Sequence, residues 1–144
     1  MTEIAQQTLQ EHLAEVARKS STPGGWAVTA AAAEACALIS MVANFTKADL
    51  SDILSRAKAS RSRLLELADE DGVAFAAVMA TYDGKGDLEP ALRQAAQVPI
   101  SAMEICVAHL EDLALNMGIG SETVHLFVHV CQTCPLLAEE GEEN

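Results

Sequence analysis

The chain has 144 residues, half of them apolar and only 3% aromatic, with a net charge of −12. This length predicts a single domain with a real hydrophobic core. The acidic balance argues against nucleic acid and anionic membrane surfaces as partners, although a small anionic ligand at a local basic site remains compatible with it.

The N-terminal sequence lacks a basic stretch followed by an apolar core, so no secretory signal is expected. Four cysteines without such a signal favour a reducing compartment and free thiols, which predicts a cytoplasmic protein. The apolar run at residues 26–45 comes nearest to a membrane span, but it contains Glu34 and several polar residues. A buried central helix is therefore the preferred interpretation.

Apolar residues at helical spacing predict a first helix over Glu3–Lys19, preceded by Thr2. The run of small and turn-forming residues at 20–25 interrupts that pattern. A second helix is then expected to continue to about Asn44. It is apolar on nearly all faces, which is typical of a helix surrounded by others.

A third, long helix is expected from about Leu50 to Thr81, with a break allowed at Gly72. Asp87 is the expected N-cap of a fourth helix. Because proline restricts the residue before it, Val98-Pro99 is expected to kink or end that helix.

A fifth helix is expected over about Ile100–Asn116, and Ser121-Glu122 marks the start of a sixth. Residues 139–144 form an acidic sequence that predicts a disordered tail. No strand alternation is found. The predicted fold is all-α, an up-and-down helical bundle of five to six helices in one domain over residues 1–138.

The motif Thr22-Pro23-Gly24-Gly25 opens the alanine-rich second helix. Thr22 is a suitable N-cap, and Pro23 is tolerated in the first turn because its N–H is not needed there. Gly24 and Gly25 leave the first-turn N–H groups bare at the positive end of the helix. Two interpretations remain open, namely a cradle for an anion or the edge of a flat ligand, and a tight turn that only begins a helix.

Four pieces of the chain, within residues 9–115, resemble in order the landmarks of the cyclodeaminase/cyclohydrolase family of folate enzymes. They are Ser21-Thr22-Pro23-Gly24-Gly25, Ser40-Met41-Val42-Ala43-Asn44-Phe45-Thr46, Asp71-Gly72-Val73-Ala74-Phe75 and Ala95-Ala96-Gln97-Val98-Pro99. The resemblance implies an all-α homodimer acting on a tetrahydrofolate one-carbon adduct, by cyclodeaminase or methenyltetrahydrofolate cyclohydrolase chemistry. It implies no tightly bound cofactor and no metal, since the substrate carries its own electrophilic carbon.

On this resemblance Asp71 is the candidate catalytic acid/base, because a carboxylate stabilises a cationic one-carbon unit and relays protons to a leaving nitrogen. Pro23, Gly24, Gly25 and Trp26 are the candidate substrate-binding wall. The alternative for Asp71 is an exposed acid in a run of three.

The sequence departs from the family pattern in two places. Trp26 and Ala27 replace a third glycine and a serine, so the indole would either stack on a pterin or plug the site. The family's last helix is not matched, which predicts a bundle shortened at its C-terminus. The alternative function is therefore a catalytically inactive binding or interaction protein on the same scaffold.

Glu34 lies in an apolar helix and is expected to face a partner, a cavity or a subunit interface, either as a paired structural acid or as a site residue. The basic residues Arg56, Lys58, Arg61 and Arg63 are expected to neutralise neighbouring acids. The alternative for them is capture of a folate's glutamate tail.

His125, His129, Cys131 and Cys134 form a candidate zinc set by their spacing. Cys131 nevertheless lies about 200° around a helix from His129, so the four converge only if the helix ends near Val130. Core cysteines and surface histidines are the preferred interpretation.

Overall fold

The computed structural model describes residues 3–18, 24–45, 47 and 49–107. In these residues a 3₁₀ helix, Ile4–Gln6, precedes four α-helices, which are α1 (Leu9–Val16), α2 (Gly24–Phe45), α3 (Ser51–Tyr82) and α4 (Leu88–Ile105). This part of the chain contains no β-strand, so the prediction of an all-α fold is confirmed. Four described helices do not establish the predicted five to six, and the sixth lies outside the described residues.

Helix α1 begins later than the sequence pattern predicts. Thr8 is its N-cap, and Thr8 Oγ1 accepts the Glu11 N–H at 3.2 Å while Glu11 Oε2 accepts the Thr8 N–H at 2.8 Å. This reciprocal capping box fixes the helix start at Leu9. The predicted helix over Glu3–Lys19 is therefore wrong at its beginning, where a 3₁₀ turn buries Ile4 instead.

Helices α2 and α3 form the core of the described fold. They run antiparallel, since Gly25 contacts Asp71 near one end while Cys36 lies near Arg61 further along. Small residues on α2 allow this close approach and pack on aliphatic residues of α3. The buried members include Ala32, Ala33, Cys36, Ile39, Ile53, Ala57, Leu64 and Leu67.

The other side of α2 is open in the described structure. Leu38, Met41 and Phe45 are 58%, 50% and 85% exposed, so the prediction of a helix buried on nearly all faces is wrong. By length and composition α2 is also a candidate membrane span, with 39% of its most apolar window buried. Its buried side, which includes Trp26 and Cys36, makes it a core helix of this bundle.

Helix α4 continues through Pro99, so the predicted end at Val98-Pro99 is wrong, while the alternative of a kink there stays a prediction. Proline removes one helical hydrogen bond, but Val98 and Ala102 on either side of it are buried in the core. Packing of these two residues in the core therefore outweighs the tendency of proline to end a helix. Asp87 occupies the predicted N-cap position without a capping hydrogen bond from its side chain.

Helix α3 is continuous through Gly72, and its bounds lie within one residue of the prediction.

Candidate functional site

The glycine motif is described only from Gly24 onward, where α2 begins. Thr22 and Pro23 lie outside the described residues, so the predicted cap and the predicted role of Pro23 stay predictions. Gly24 is exposed and Gly25 is half-buried. Trp26 is 0% exposed, and Gly25 and Trp26 lie beside the carboxyl group of Asp71.

Asp71 of α3 contacts the first turn of α2. Its carboxylate accepts the backbone N–H of Trp26. A Cβ atom built on Gly25 would lie 2.7 Å from both Asp71 oxygens, so only glycine permits this approach. A carboxylate is the favourable partner for the positive end of a helix. The first turn of α2, for which the sequence leaves open an anion cradle or a plain helix start, thus holds a carboxylate of the same chain.

Burial gives the Asp71 carboxyl group unusual proton affinity. The residue is 7% exposed, and Oδ2 is buried with no hydrogen-bond partner in the described part of the chain. Removal from water disfavours the charged form and raises the pKa of Asp71, while the Trp26 N–H partly opposes this. A carboxyl group with a raised pKa and one unpaired oxygen is suited to take up and release a proton.

Trp26 fills the space behind the first turn of α2. It packs in a cluster with Ile4, Ala30 and Ala68. The His12 ring lies on the indole, with ring centroids 4.7 Å apart and a tilt of 49°. The indole is therefore buried in this structure, while the two interpretations of Trp26, stacking on a ligand and filling the site, both stay predictions.

His12 is the site neighbour that sequence reasoning missed. As a single histidine in a short helix it gives no signal of its own, because its contact with Trp26 joins residues from two different helices.

An open groove of about 1150 Å³ lies between α3 and α4. Gly72 and Gln97 lie on its opposite walls, and Trp26 borders it at one end. Arg63 also lines it and binds Glu70 at 2.6 Å. Asp71 is not a lining residue of this groove, whereas Trp26, whose backbone N–H the Asp71 carboxylate accepts, is one.

The basic residues of α3 behave mainly as neutralising charges. Arg56 lies 3.1 Å from Asp52, and Arg63 pairs with Glu66 and Glu70. Glu34 is exposed, so it is not a buried charge, and its expected position facing a partner, a cavity or a subunit interface stays a prediction.

Within the described residues no group of three or more His, Cys, Asp or Glu side chains is arranged to hold a metal ion. The candidate zinc set, His125, His129, Cys131 and Cys134, lies outside those residues. Cys36 is a buried free thiol, as expected for a cysteine in a reducing compartment.

Comparison with known proteins agrees with the resemblance seen in the sequence. The chain is 29% identical over 135 residues to the methenyltetrahydrofolate cyclohydrolase of Methylorubrum extorquens, which covers 78% of this chain. The chain spans 65% of the length of that relative. Its fold matches the crystal structure of formiminotetrahydrofolate cyclodeaminase from Thermotoga maritima with a TM-score of 0.76 and 28% identity, covering 96% of this chain and 81% of the other.

The sequence model of the formiminotransferase-cyclodeaminase family matches residues 8–125, which include Trp26, Asp71 and the whole of the α2–α3 pair. The match therefore covers both the fold and the candidate site, and the chain belongs to the formiminotransferase-cyclodeaminase family.

Proposed function

We propose that this protein is a folate one-carbon enzyme that acts on a tetrahydrofolate adduct, as a cyclodeaminase or as a methenyltetrahydrofolate cyclohydrolase. The names of the two similar proteins support this class of reaction. We assign the proton transfer in this reaction to Asp71. The observation that supports this assignment is that Asp71 Oδ2 is buried and has no hydrogen-bond partner within the described structure.

The proposed chemistry uses the carboxyl group of Asp71 in two steps. For hydrolysis, Asp71 takes a proton as a water oxygen bonds to the cationic carbon held between two folate nitrogens. The tetrahedral adduct then loses one carbon–nitrogen bond, and the departing nitrogen receives that proton. The second proton of the water, which is on the hydroxyl group of the adduct, is released to solvent, and this leaves the formyl product. In the cyclodeaminase reaction a folate nitrogen attacks the carbon of the protonated formimino group, and Asp71 takes the proton of that nitrogen. Asp71 then returns this proton to the amino group of the tetrahedral adduct, which departs as ammonia and leaves the methenyl cation.

Gly24, Gly25 and Trp26, with Pro23, are the proposed wall of the substrate site. Gly25 serves it by admitting the Asp71 carboxylate to within contact of the helix backbone. Since the substrate carries its own electrophilic carbon, the proposal includes no tightly bound cofactor. We place the reaction in the cytoplasm, in keeping with the free thiol of Cys36.

The decisive experiment follows methenyltetrahydrofolate by its absorbance with the wild type and with Asp71→Asn. The amide keeps the size of the side chain and an acceptor for the Trp26 N–H but cannot relay the proton. We expect hydrolysis above the buffer rate for the wild type and a loss of about 10²-fold or more for the variant. Asp83→Asn, at an exposed position after α3, is the matched control and should keep wild-type activity. Equal rates for wild type and Asp71→Asn would refute the role of Asp71.

A second candidate function is a binding or interaction protein without turnover. The observation that favours it is the complete burial of Trp26, which occupies the place where the family pattern has glycine. Under this alternative the wild type shows no rate above buffer with either adduct, formiminotetrahydrofolate or methenyltetrahydrofolate. Trp26→Gly then distinguishes a site that is blocked by the indole from a site that lacks catalytic residues. Only the blocked site gains activity when the indole is removed.

We also propose that the protein acts as a homodimer that pairs through the open side of α2. Leu38, Met41 and Phe45 follow one another at intervals of three and four residues, which places them on one stripe of the helix. The exposed Glu34 and Lys47 lie near opposite ends of this stripe. An antiparallel copy would therefore bring each acid near the other chain's base and cover the apolar stripe between them.

Sedimentation analysis tests the dimer. Leu38→Glu is expected to convert it to a monomer, because a charge would be buried in the apolar interface. Leu92→Glu, at an exposed position on α4, is the matched control and should remain dimeric. A monomeric wild type, or a dimer that survives Leu38→Glu, would refute this interface.

A further inference from the structure

The N-terminal segment, Glu3–Arg18, covers Trp26. Ile4 is 7% exposed and packs in the same cluster as the indole. The His12 ring lies against the indole at a centroid distance of 4.7 Å. Two residues of one segment thus contribute to an environment that leaves Trp26 0% exposed.

The same segment has few attachments to the rest of the described structure. The backbone N–H of Ile4 donates to Asp69 Oδ1 at 2.9 Å. Helix α1 buries none of its residues, and its apolar residues Leu9 and Leu13 are 63% and 56% exposed. Segments with few buried contacts open at a lower free energy than the core to which they are attached.

With the N-terminal segment packed on Trp26, some buried polar atoms have no hydrogen-bond partner in the described structure. His12 Nδ1, Trp26 Nε1 and Asp71 Oδ2 are buried, and none has a hydrogen-bond partner among the described residues. Buried polar groups in folded proteins are nearly always paired, so a cluster of exceptions calls for an explanation. Opening the segment would hydrate these atoms, and a ligand that offers both donors and acceptors would pair with them.

We propose that Glu3–Arg18 is a lid over Trp26, latched by Ile4 and Asp69, and that it opens to admit a flat heteroaromatic ligand. The identity of that ligand as a folate rests on the proposed function, whereas the lid itself does not. Ile4 precedes residues 8–125, which match the family, whereas its partner in the latch, Asp69, lies within them. Opening would give the ligand access to the indole face that His12 and Ile4 cover.

The fluorescence of Trp26 reports on the lid directly, because it is the only tryptophan in the sequence. Ile4→Ala is expected to raise the acrylamide quenching constant several-fold, since it removes the buried side chain of the latch. Leu13→Ala is the matched control, because Leu13 belongs to the same segment but is exposed, and its quenching should equal that of the wild type. Circular dichroism must show that each variant keeps its helix content.

Asp69→Ala gives an independent measurement that remains informative if Ile4→Ala does not fold. It removes the acceptor of the Ile4 N–H and should also raise quenching. Wild-type quenching in the folded variants would overturn the lid. Fully accessible Trp26 in the wild type would overturn it as well.

A folate probe separates the lid from the proposed function. With 5-formyltetrahydrofolate, a lid predicts that Ile4→Ala speeds the change in Trp26 fluorescence relative to Leu13→Ala. Quenching that responds to the latch variants, together with no folate-induced change and no turnover, would uphold the lid and refute the proposed function. Turnover by the wild type, together with the same acrylamide quenching in the wild type and in both latch variants, would uphold the proposed function and refute the lid.

Discussion

Gly25→Ala is the substitution whose effect the structure defines most sharply. The new Cβ would lie 2.7 Å from both oxygens of Asp71 and 2.9 Å from its Cγ, well inside the 3.4 Å at which ordinary contact starts. The carboxyl group must therefore withdraw and give up the Trp26 N–H. Leaving that buried donor unpaired costs about 1–3 kcal/mol, while replacing glycine by alanine in a helix returns up to about 1 kcal/mol. The expected net loss of unfolding free energy is about 1–2 kcal/mol.

A double-mutant cycle in urea separates the clash from the change in helix propensity. In an Asp71→Ala background the carboxyl group is absent, so Gly25→Ala should become neutral or stabilising by up to about 1 kcal/mol. The coupling energy between the two positions is then about 2 kcal/mol. The same loss from Gly25→Ala in both backgrounds would refute the inference that glycine is required for the approach of Asp71.

Three further predictions concern titration, thiol access and core packing. Burial raises the pKa of Asp71, so the folded state favours its neutral form. The free energy of unfolding of the wild type, relative to Asp71→Asn, should therefore be greatest below pH 3.8 and fall as the pH rises through the raised pKa. Urea titrations at several pH values measure this difference, and a difference that grows with pH would contradict the prediction. Burial also raises the pKa of Cys36 to about 11, so Cys36→Ala should leave the thiol count unchanged in native protein and lower it by one in urea. Leu64→Ala should cost about 2–5 kcal/mol of unfolding free energy, because Leu64 is 0% exposed, and Leu92→Ala, at a position 45% exposed, should cost far less.

The long helices were predictable from sequence because their periodicity extends over many turns. The bounds of α2 and α3 lie within one residue or so of the expected positions. Short-range preferences were less reliable where they competed with other interactions. The capping box of Thr8 with Glu11 sets the start of α1, and core packing of Val98 carries α4 through Pro99.

The candidate site was predictable only in part. Asp71 and the Gly24-Gly25 turn could be named because the family resemblance runs through them, and the structure brings Asp71 and Gly25 together. The contact between His12 and Trp26 could not, because neither residue carries a pattern that points to the other. The exposed position of Glu34 was missed for a similar reason, since composition does not say which side of α2 lacks a neighbour.

The sequence by itself determined the all-α class, the two long helices and the family, since these follow from periodicity and from motifs kept in order along the chain. Only the tertiary structure decided that the carboxylate of Asp71 occupies the N-terminus of α2 and that Trp26 is buried beneath the N-terminal segment. Both facts depend on distances between separate elements, and these distances are set by how the helices pack.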